Sequence, residues 1–293
     1  MSEGVLKTMI INRQAAVDRR ALQIKQMDEL NLTYEFLNAT EPHSLSEHFK
    51  SLRFWKTPLR LSELSCFESH CRCWIAATKA KQNTMLVLED DFIFRCDKID
   101  PQAIHAWVQK QNIPIILSLE AIQHPKTVYT QHSGTISGHA VFRILWAPNG
   151  AGAYIINAQA AEILVKRSQK TIDAVDIFFN NHRDIHMFQM DPAIGHQALY
   201  SPLFGTHTKI DFSVSSTHAY PLQRTRPWFL SAFYILYLEL RRRLIKLRVY
   251  LLEILPRRIF FITRTVVIRR INITHSNESK NCEDNNKTPL VDR

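Results

Sequence analysis

A chain of 293 residues with 45% apolar and 22% charged side chains is ordinary globular material, long enough to bury one large core or two small ones. Five cysteines, three of them crowded at Cys66, Cys71 and Cys73, exclude a secreted disulfide framework; with no apolar leader at the start, a reducing cytoplasmic setting is expected. The net charge is +10, but Leu222–Asn272 carries that whole excess, with eleven arginines and one lysine against Glu239 and Glu253, so the basic pI does not mark the main domain as a nucleic-acid binder.

In chain order, Leu6–Ile11 reads as a strand and Val17–Leu30 as a helix with Leu22, Met27 and Leu30 on one face. Ser62–Lys81 reads as a second helix, capped by Ser62 or Ser65. Met85–Leu88 is a short apolar run ending in three acids and reads as a buried strand. Ile113–Leu119 and Gly152–Ile156 are further strands, and Ala158–Val165 is a helix. Alternation of this kind predicts an α/β fold with a mixed, mainly parallel sheet flanked by helices. Six of the seven glycines fall between Gly134 and Gly205, which concentrates permissive backbone in the middle of the chain.

Residues 222–273 form a second zone. Trp228–Leu240 is too short for a bilayer span, which needs about twenty residues. Arginines beside Leu, Ile and Phe predict basic amphipathic helices lying on an anionic membrane surface. Residues 274–293, rich in Asn, Ser, Lys and Glu, read as a disordered polar tail.

The sharpest local signal is Leu86-Val87-Leu88-Glu89-Asp90-Asp91. Carboxylates at the end of a buried strand are costly unless they face a cation or solvent. In open α/β sheets, ligands bind at that end of the strands. Glu89 and Asp91 are two apart, point the same way on a strand, and suit a hard cation such as Mn²⁺ or Mg²⁺ that keeps positions free for phosphate oxygens. Asn12, Arg13, Arg19 and Arg20 follow the first strand, and amide and guanidinium groups there suit base and phosphate recognition. A zinc site from Cys66, His70, Cys71 and Cys73 has a spacing that matches no common zinc pattern.

Around these residues the chain resembles glycosyltransferase family 25, which includes lipooligosaccharide galactosyltransferases. Five ordered blocks carry the resemblance. They are Ile10-Ile-Asn-Arg13 with Asp18-Arg19-Arg20; Leu61–His70 with Trp74; Val87–Asp91; Asn149–Ile156 with Ala160-Ala161; and Ala174-Val-Asp176-Ile-Phe-Phe. The resemblance covers about Leu6 to Ser216, with a weak stretch from about Phe92 to Asn149. It departs from the family pattern at Ser62 and Ser65, where glycines are usual, and at Ala174, where proline is usual.

The resemblance implies a GT-A-like nucleotide-sugar-binding domain over residues 1–221. It implies inverting transfer from a UDP-sugar, galactose above all, to a saccharide or glycolipid acceptor of lipooligosaccharide, on the cytoplasmic face of the inner membrane. It assigns Glu89 and Asp91 to the metal. It assigns Glu63, Ser69, His70, Asp90, Gly152 and Tyr154, with Asn12, Arg13, Arg19 and Arg20, to the donor. An inverting reaction needs a base for the acceptor hydroxyl. Asp176 is the candidate, with Asp173 as competitor. Two other classes compete. A metal-dependent phosphohydrolase would recruit His182, His186 and Asp191 to a two-metal centre. A non-catalytic membrane-bound interaction protein would use only the basic zone.

Overall fold

The computed structural model describes residues 6–56, 59–79, 84–95, 99–122, 126–146, 150–170, 172–180, 184–204 and 268–271, with single positions 236, 240, 243, 244 and 247. The strands are β1 (Leu6–Asn12), β2 (Tyr34–Asn38), β3 (Thr84–Glu89), β4 (Phe92–Phe94), β5 (Ile115–Ser118), β6 (Glu120–Ala121), β7 (Lys126–Ile136), β8 (His139–Trp146), β9 (Ala153–Ile156), β10 (His186–Asp191), β11 (Gly195–Gln197) and β12 (Ile268–Ile271). The helices are α1 (Val17–Glu29), α2 (Glu47–Lys56), α3 (Leu61–Lys79), α4 (Pro101–Gln111), α5 (Ala158–Ser168) and α6 (Val175–Asn180).

Local chemistry sets several of these boundaries. Asp100 caps α4 by accepting the Ala103 N–H, Pro101 occupies the first helical position, and Asn112 ends the helix in the left-handed conformation. Asn157 caps α5 at Ala160 N, and the same side-chain oxygen accepts from Ile115 N, so one residue fixes the helix start to β5. The β7–β8 hairpin turns on Ser137 and Gly138, both at positive φ, the primed turn that matches strand twist.

The large sheet runs in the order β12-β7-β8-β10-β5-β9-β3-β1-β2, and a small sheet runs β4-β11-β6. Helices flank the large sheet, as expected. Its expected mainly parallel character is corrected: among the described residues three of its eight pairings are parallel (β1–β2, β1–β3, β5–β10). The cause is β9, which enters antiparallel between β3 and β5, together with the β7–β8 hairpin at the far side.

Two cores lie on the two faces. On one, α3, α5 and α6 bury Phe67, Trp74, Leu164 and Phe178, with Trp74 stacked on Phe178 at 5.7 Å and 9°. On the other, α1 and α4 bury Met27, Ile104 and Trp107 against Leu88, Leu117 and Phe188. Each such side chain contributes about 1.5–3 kcal/mol by leaving water. The seven elements that periodicity foresees are present, shifted by one or two residues, except that α5 extends three beyond Val165.

Of the zone expected as amphipathic helix, Leu236, Leu240, Arg243, Leu244 and Leu247 are helical and exposed. Ile268–Ile271 departs from that expectation: it is a strand pairing antiparallel with β7, where β-branched isoleucines suit a sheet edge. The rest of that zone and residues 274–293 lie outside the described residues. No helix among the described residues is long and apolar enough to cross a membrane.

Candidate active site

β3 delivers Glu89, Asp90 and Asp91 to the seam between the two sheets, and the three carboxylates diverge. Asp90 turns toward β1. Its Oδ2 accepts from Asn12 Nδ2 at 2.9 Å and from Arg13 N at 3.4 Å, and its Oδ1 accepts from Arg19 Nη1 at 3.2 Å. Burial pushes the Asp90 carboxyl above its ordinary value, and Arg19 and Asn12 pull against that shift. Gln23 on α1 donates to the Asp90 and Phe92 carbonyls, and Gln26 clasps β4 by donating to Phe92 O and accepting from Phe94 N. The residues around the first strand therefore hold the acidic turn in place. Arg13 pairs with Glu41 at 2.8 Å, and Arg20 lies over the Phe36 ring at 3.8 Å.

Asp91 takes the other direction. Its Oδ1 is buried with no hydrogen-bond partner among the described residues. Burial, then Glu89 and Asp90, raise its carboxyl well above the usual range. An anionic oxygen with no donor is what a hard cation requires, so Asp91 fits Mn²⁺ or Mg²⁺.

Glu89 does not present a free oxygen in the same way. Its Oε1 lies 3.2 Å from His70 Nε2 and 3.6 Å from Cys66 Sγ, and its Oε2 accepts from Gln197 Nε2 at 2.7 Å. Burial would raise its carboxyl, but the His70, Cys66 and Gln197 contacts outweigh that and hold it low. Burial, then Glu89, pushes the Cys66 thiol up.

Behind Glu89 several residues assigned to the donor turn out to be core. His70 and Ser69 are fully buried: His70 Nδ1 is 2.9 Å from the Tyr154 hydroxyl, and Ser69 Oγ donates to Ser65 O and accepts from Thr40 N. Tyr154 is 1% exposed and also accepts from the Trp74 indole N–H at 2.9 Å. Glu63 closes the start of α3 by accepting from Arg60 N. His70, Ser69 and Tyr154 brace the site from the core side, while Glu63 is half-buried, because histidine and tyrosine in a motif serve buried networks as well as ligands.

Gly152 does lie at the site, and for a steric reason. A Cβ there would meet Gln197 Cγ at 2.7 Å and Glu120 Oε2 at 3.0 Å; one at Gly150 would meet Glu120 Oε1 at 2.4 Å. Glu120 is wholly buried, accepts from Gly152 N at 3.3 Å, and keeps Oε1 without a hydrogen-bond partner among the described residues. Burial drives its carboxyl up while Lys126 opposes; Lys126, itself buried, donates to Ser118 Oγ at 2.8 Å and Gln189 Oε1 at 2.5 Å.

Asp176 stands in the first turn of α6, half-buried, with its carboxyl pushed up to about 6 by burial, Asp173 and Glu89. Asp173 is buried, 5% exposed, and accepts from Ala174 N. Of the two, Asp176 is the more accessible and shares the field of Glu89. Tyr200, held up by burial and by Glu120, Asp176 and Asp91, borders the same acids. Glu120, Gln197 and Tyr200 are absent from the expectations drawn from sequence. Glu120 had a signal, since it too ends an apolar run, Ile115–Leu119, as Glu89 does; Gln197 had none.

An aspartate just beyond β3 whose buried Oδ1 has no hydrogen-bond partner among the described residues, and a second aspartate with a raised carboxyl on α6, are compatible with a metal-bound phosphorylated donor. The family model described as glycosyltransferase family 25 (LPS biosynthesis protein) matches residues 5–179. The chain belongs to glycosyltransferase family 25. It is similar to a glycosyltransferase 25 family member of Aedes aegypti, 25% identical over 73% of this chain and 38% of that protein. It is also similar to the lipooligosaccharide biosynthesis protein lic2B of Haemophilus influenzae, 22% identical over 63% of this chain and 73% of that one. The chain thus spans well under half the length of the mosquito relative. Among solved structures, a protein described as a glucose-1-phosphate thymidylyltransferase from Bacillus anthracis aligns over 72% of this chain and 79% of its own, at 12% identity and a TM-score of 0.32.

Proposed function

We propose that this family 25 protein transfers a sugar, galactose from UDP-galactose, with inversion onto a saccharide acceptor of lipooligosaccharide or lipopolysaccharide. The family match across the acidic turn, with the carboxyls of Asp91 and Asp176 both raised in the field of Glu89, carries this reading. A GT-A-like use of the seam between the sheets follows from it. Asp91 would hold Mn²⁺ or Mg²⁺ through its unpartnered oxygen. A bound divalent cation supplies charge neutralisation for the departing diphosphate. Asp176 takes the proton of the acceptor hydroxyl, and its raised carboxyl suits a base working near neutrality. Asp90 acts indirectly, by locking Arg19 and Asn12 so that the turn keeps its shape.

The phosphohydrolase alternative fares worse. His186 and Asp191 stand at opposite ends of β10, five residues apart, or about 16 Å along a strand, too far to share a metal centre.

Membrane association is part of the same reading. Leu236, Leu240, Leu244 and Leu247 are exposed and helical, and their sequence spacing of four, four and three is that of one helix face, beside Arg243. Such a face inserts shallowly while arginines meet anionic headgroups.

The test is UDP release from UDP-galactose, other UDP-sugars, and GDP- and CMP-sugars, each with a lipooligosaccharide-derived acceptor, with and without a chelator. Release from UDP-galactose that disappears in the chelator and in Asp91→Ala is the expected result. Full turnover in both conditions would remove the metal mechanism.

A further inference from the structure

The geometry points to a second kind of metal site, one that the transfer reaction does not require: Cys66 Sγ, His70 Nε2 and Glu89 Oε1 form a three-ligand site for a borderline-soft divalent cation of the zinc class.

The three ligand atoms lie within 4.8 Å of one another. Their spacing accommodates coordination as well as hydrogen bonding. Metal–nitrogen and metal–oxygen bonds of about 2.0–2.2 Å and a metal–sulfur bond of about 2.3 Å, at tetrahedral angles, put nitrogen and oxygen about 3.4 Å apart and sulfur and oxygen about 3.6 Å apart. The separations are 3.2 Å and 3.6 Å. The first is at the outer limit of an N–H···O bond, whose usual length is about 2.9–3.0 Å. Both contacts converge on one oxygen, Oε1, while Oε2 is separately engaged by Gln197.

The surroundings meet the other requirements of a metal centre. Cys66 and His70 are four apart on α3 and so share a face, and Glu89 arrives from the end of β3. His70 Nδ1 is backed by the Tyr154 hydroxyl, the outer contact that orients a metal-bound imidazole. Cys66 and Glu89 are partly exposed while His70 is buried, so entry and a fourth, open position lie on the side of the acidic turn. The neighbouring thiols Cys71 and Cys73 sit in the apolar core and take no part. Thiolate with imidazole selects zinc-class ions over Mg²⁺. As the ion binds, the Cys66 thiol proton leaves to solvent, and the single ring proton of His70, which faces Glu89 in the metal-free site, moves through solvent to Nδ1, where it is donated to the Tyr154 oxygen. A dication with one thiolate and one carboxylate leaves no net charge in the site.

The experiment uses the full chain, stripped with a chelator, desalted and titrated with Co²⁺. One equivalent should bind with a near-ultraviolet thiolate-to-cobalt charge-transfer band and strong visible bands of tetrahedral cobalt. Zn²⁺ should displace it and Mg²⁺ should not. Cys66→Ser should abolish the charge-transfer band, and His70→Gln should weaken binding by ~10-fold or more. No thiolate band in the wild-type chain overturns the site, as does an undiminished band in a folded Cys66→Ser. If that variant does not fold, peptide mapping after alkylation of the wild type decides: Zn²⁺ should shield Cys66, and equal labelling with and without Zn²⁺ overturns the site. These readouts are spectroscopic, so they stand or fall separately from the transferase reading.

Discussion

Asn12 donates to Asp90 at 2.9 Å across 78 positions of sequence, and this one bond joins the end of β1 to the turn that carries the acids. Arg19 and the Arg13 N–H complete the cage. Asp90→Ala strips three donors of their buried acceptor. Hydrogen bonds to a charged group are worth about 1.5–3 kcal/mol, so a loss of about 3 kcal/mol in chemical denaturation is expected. An unchanged midpoint together with weakened UDP binding would show that Asp90 meets the nucleotide instead.

Asp176 offers a pH test. Its carboxyl sits at about 6 in the fold, against about 3.9 in an unfolded chain. Between those values the folded chain holds a proton that the unfolded chain releases. The stability linked to this group is therefore full below about pH 4 and lost as pH rises through about 6. In the metal-free protein, Asp176→Asn should match the wild type near pH 4 and exceed it at about pH 7.5 by on the order of 1 kcal/mol. The same substitution should cut kcat by ~10² with donor binding retained. Normal turnover by Asp176→Asn beside a dead Asp173→Asn would move the base to Asp173.

Gly150 is held at φ +122° with Glu120 Oε1 2.4 Å from where a Cβ would stand. Gly150→Ala adds a strained backbone to a collision with a buried acid, and a cost of about 2–3 kcal/mol follows. Combining it with Glu120→Ala should recover part of that loss. Strict additivity in the double-variant cycle would mean the two residues do not press on each other.

The exposed leucines make the membrane reading testable without shortening the chain, which would remove β12 from the sheet. The full chain should bind vesicles containing anionic lipid better than neutral ones. Screening over about 8 Å at physiological ionic strength means added salt should weaken that binding. Leu240→Glu with Leu244→Glu should abolish it, leaving turnover on a short soluble acceptor intact. Equal binding to neutral vesicles, indifferent to salt, would defeat the electrostatic part.

Legibility in the sequence followed the range of each interaction. Helices α1, α3 and α5 and strands β1, β3 and β9 were visible because periodicity is local. The β7–β8 hairpin fell in a stretch without a clear pattern, although Ser137-Gly138 was a usable turn signal. The parallel register that sets Asn12 beside Asp90 has no local signature, nor does the antiparallel entry of β9. Chemistry and block order single out Asp91 and Asp176 as candidates, but not the unpartnered Asp91 Oδ1 or the raised Asp176 carboxyl. The motif marks His70 and Tyr154 but not that they sit in a buried network behind Glu89, since block order does not say which way a side chain faces.

Strand β12 sets a timetable for synthesis. The edge of β7 ends at Ile136, and its partner begins at Ile268, about 130 residues later. At roughly 5–20 residues per second a ribosome takes on the order of ten seconds to bridge that gap. Throughout that interval the Lys126–Tyr129 edge of β7, which β12 later covers, presents unpaired backbone groups to whatever is nearby. A nascent chain paused before residue 268 should therefore be the species that chaperones capture and that self-associates, and one released beyond residue 271 should not.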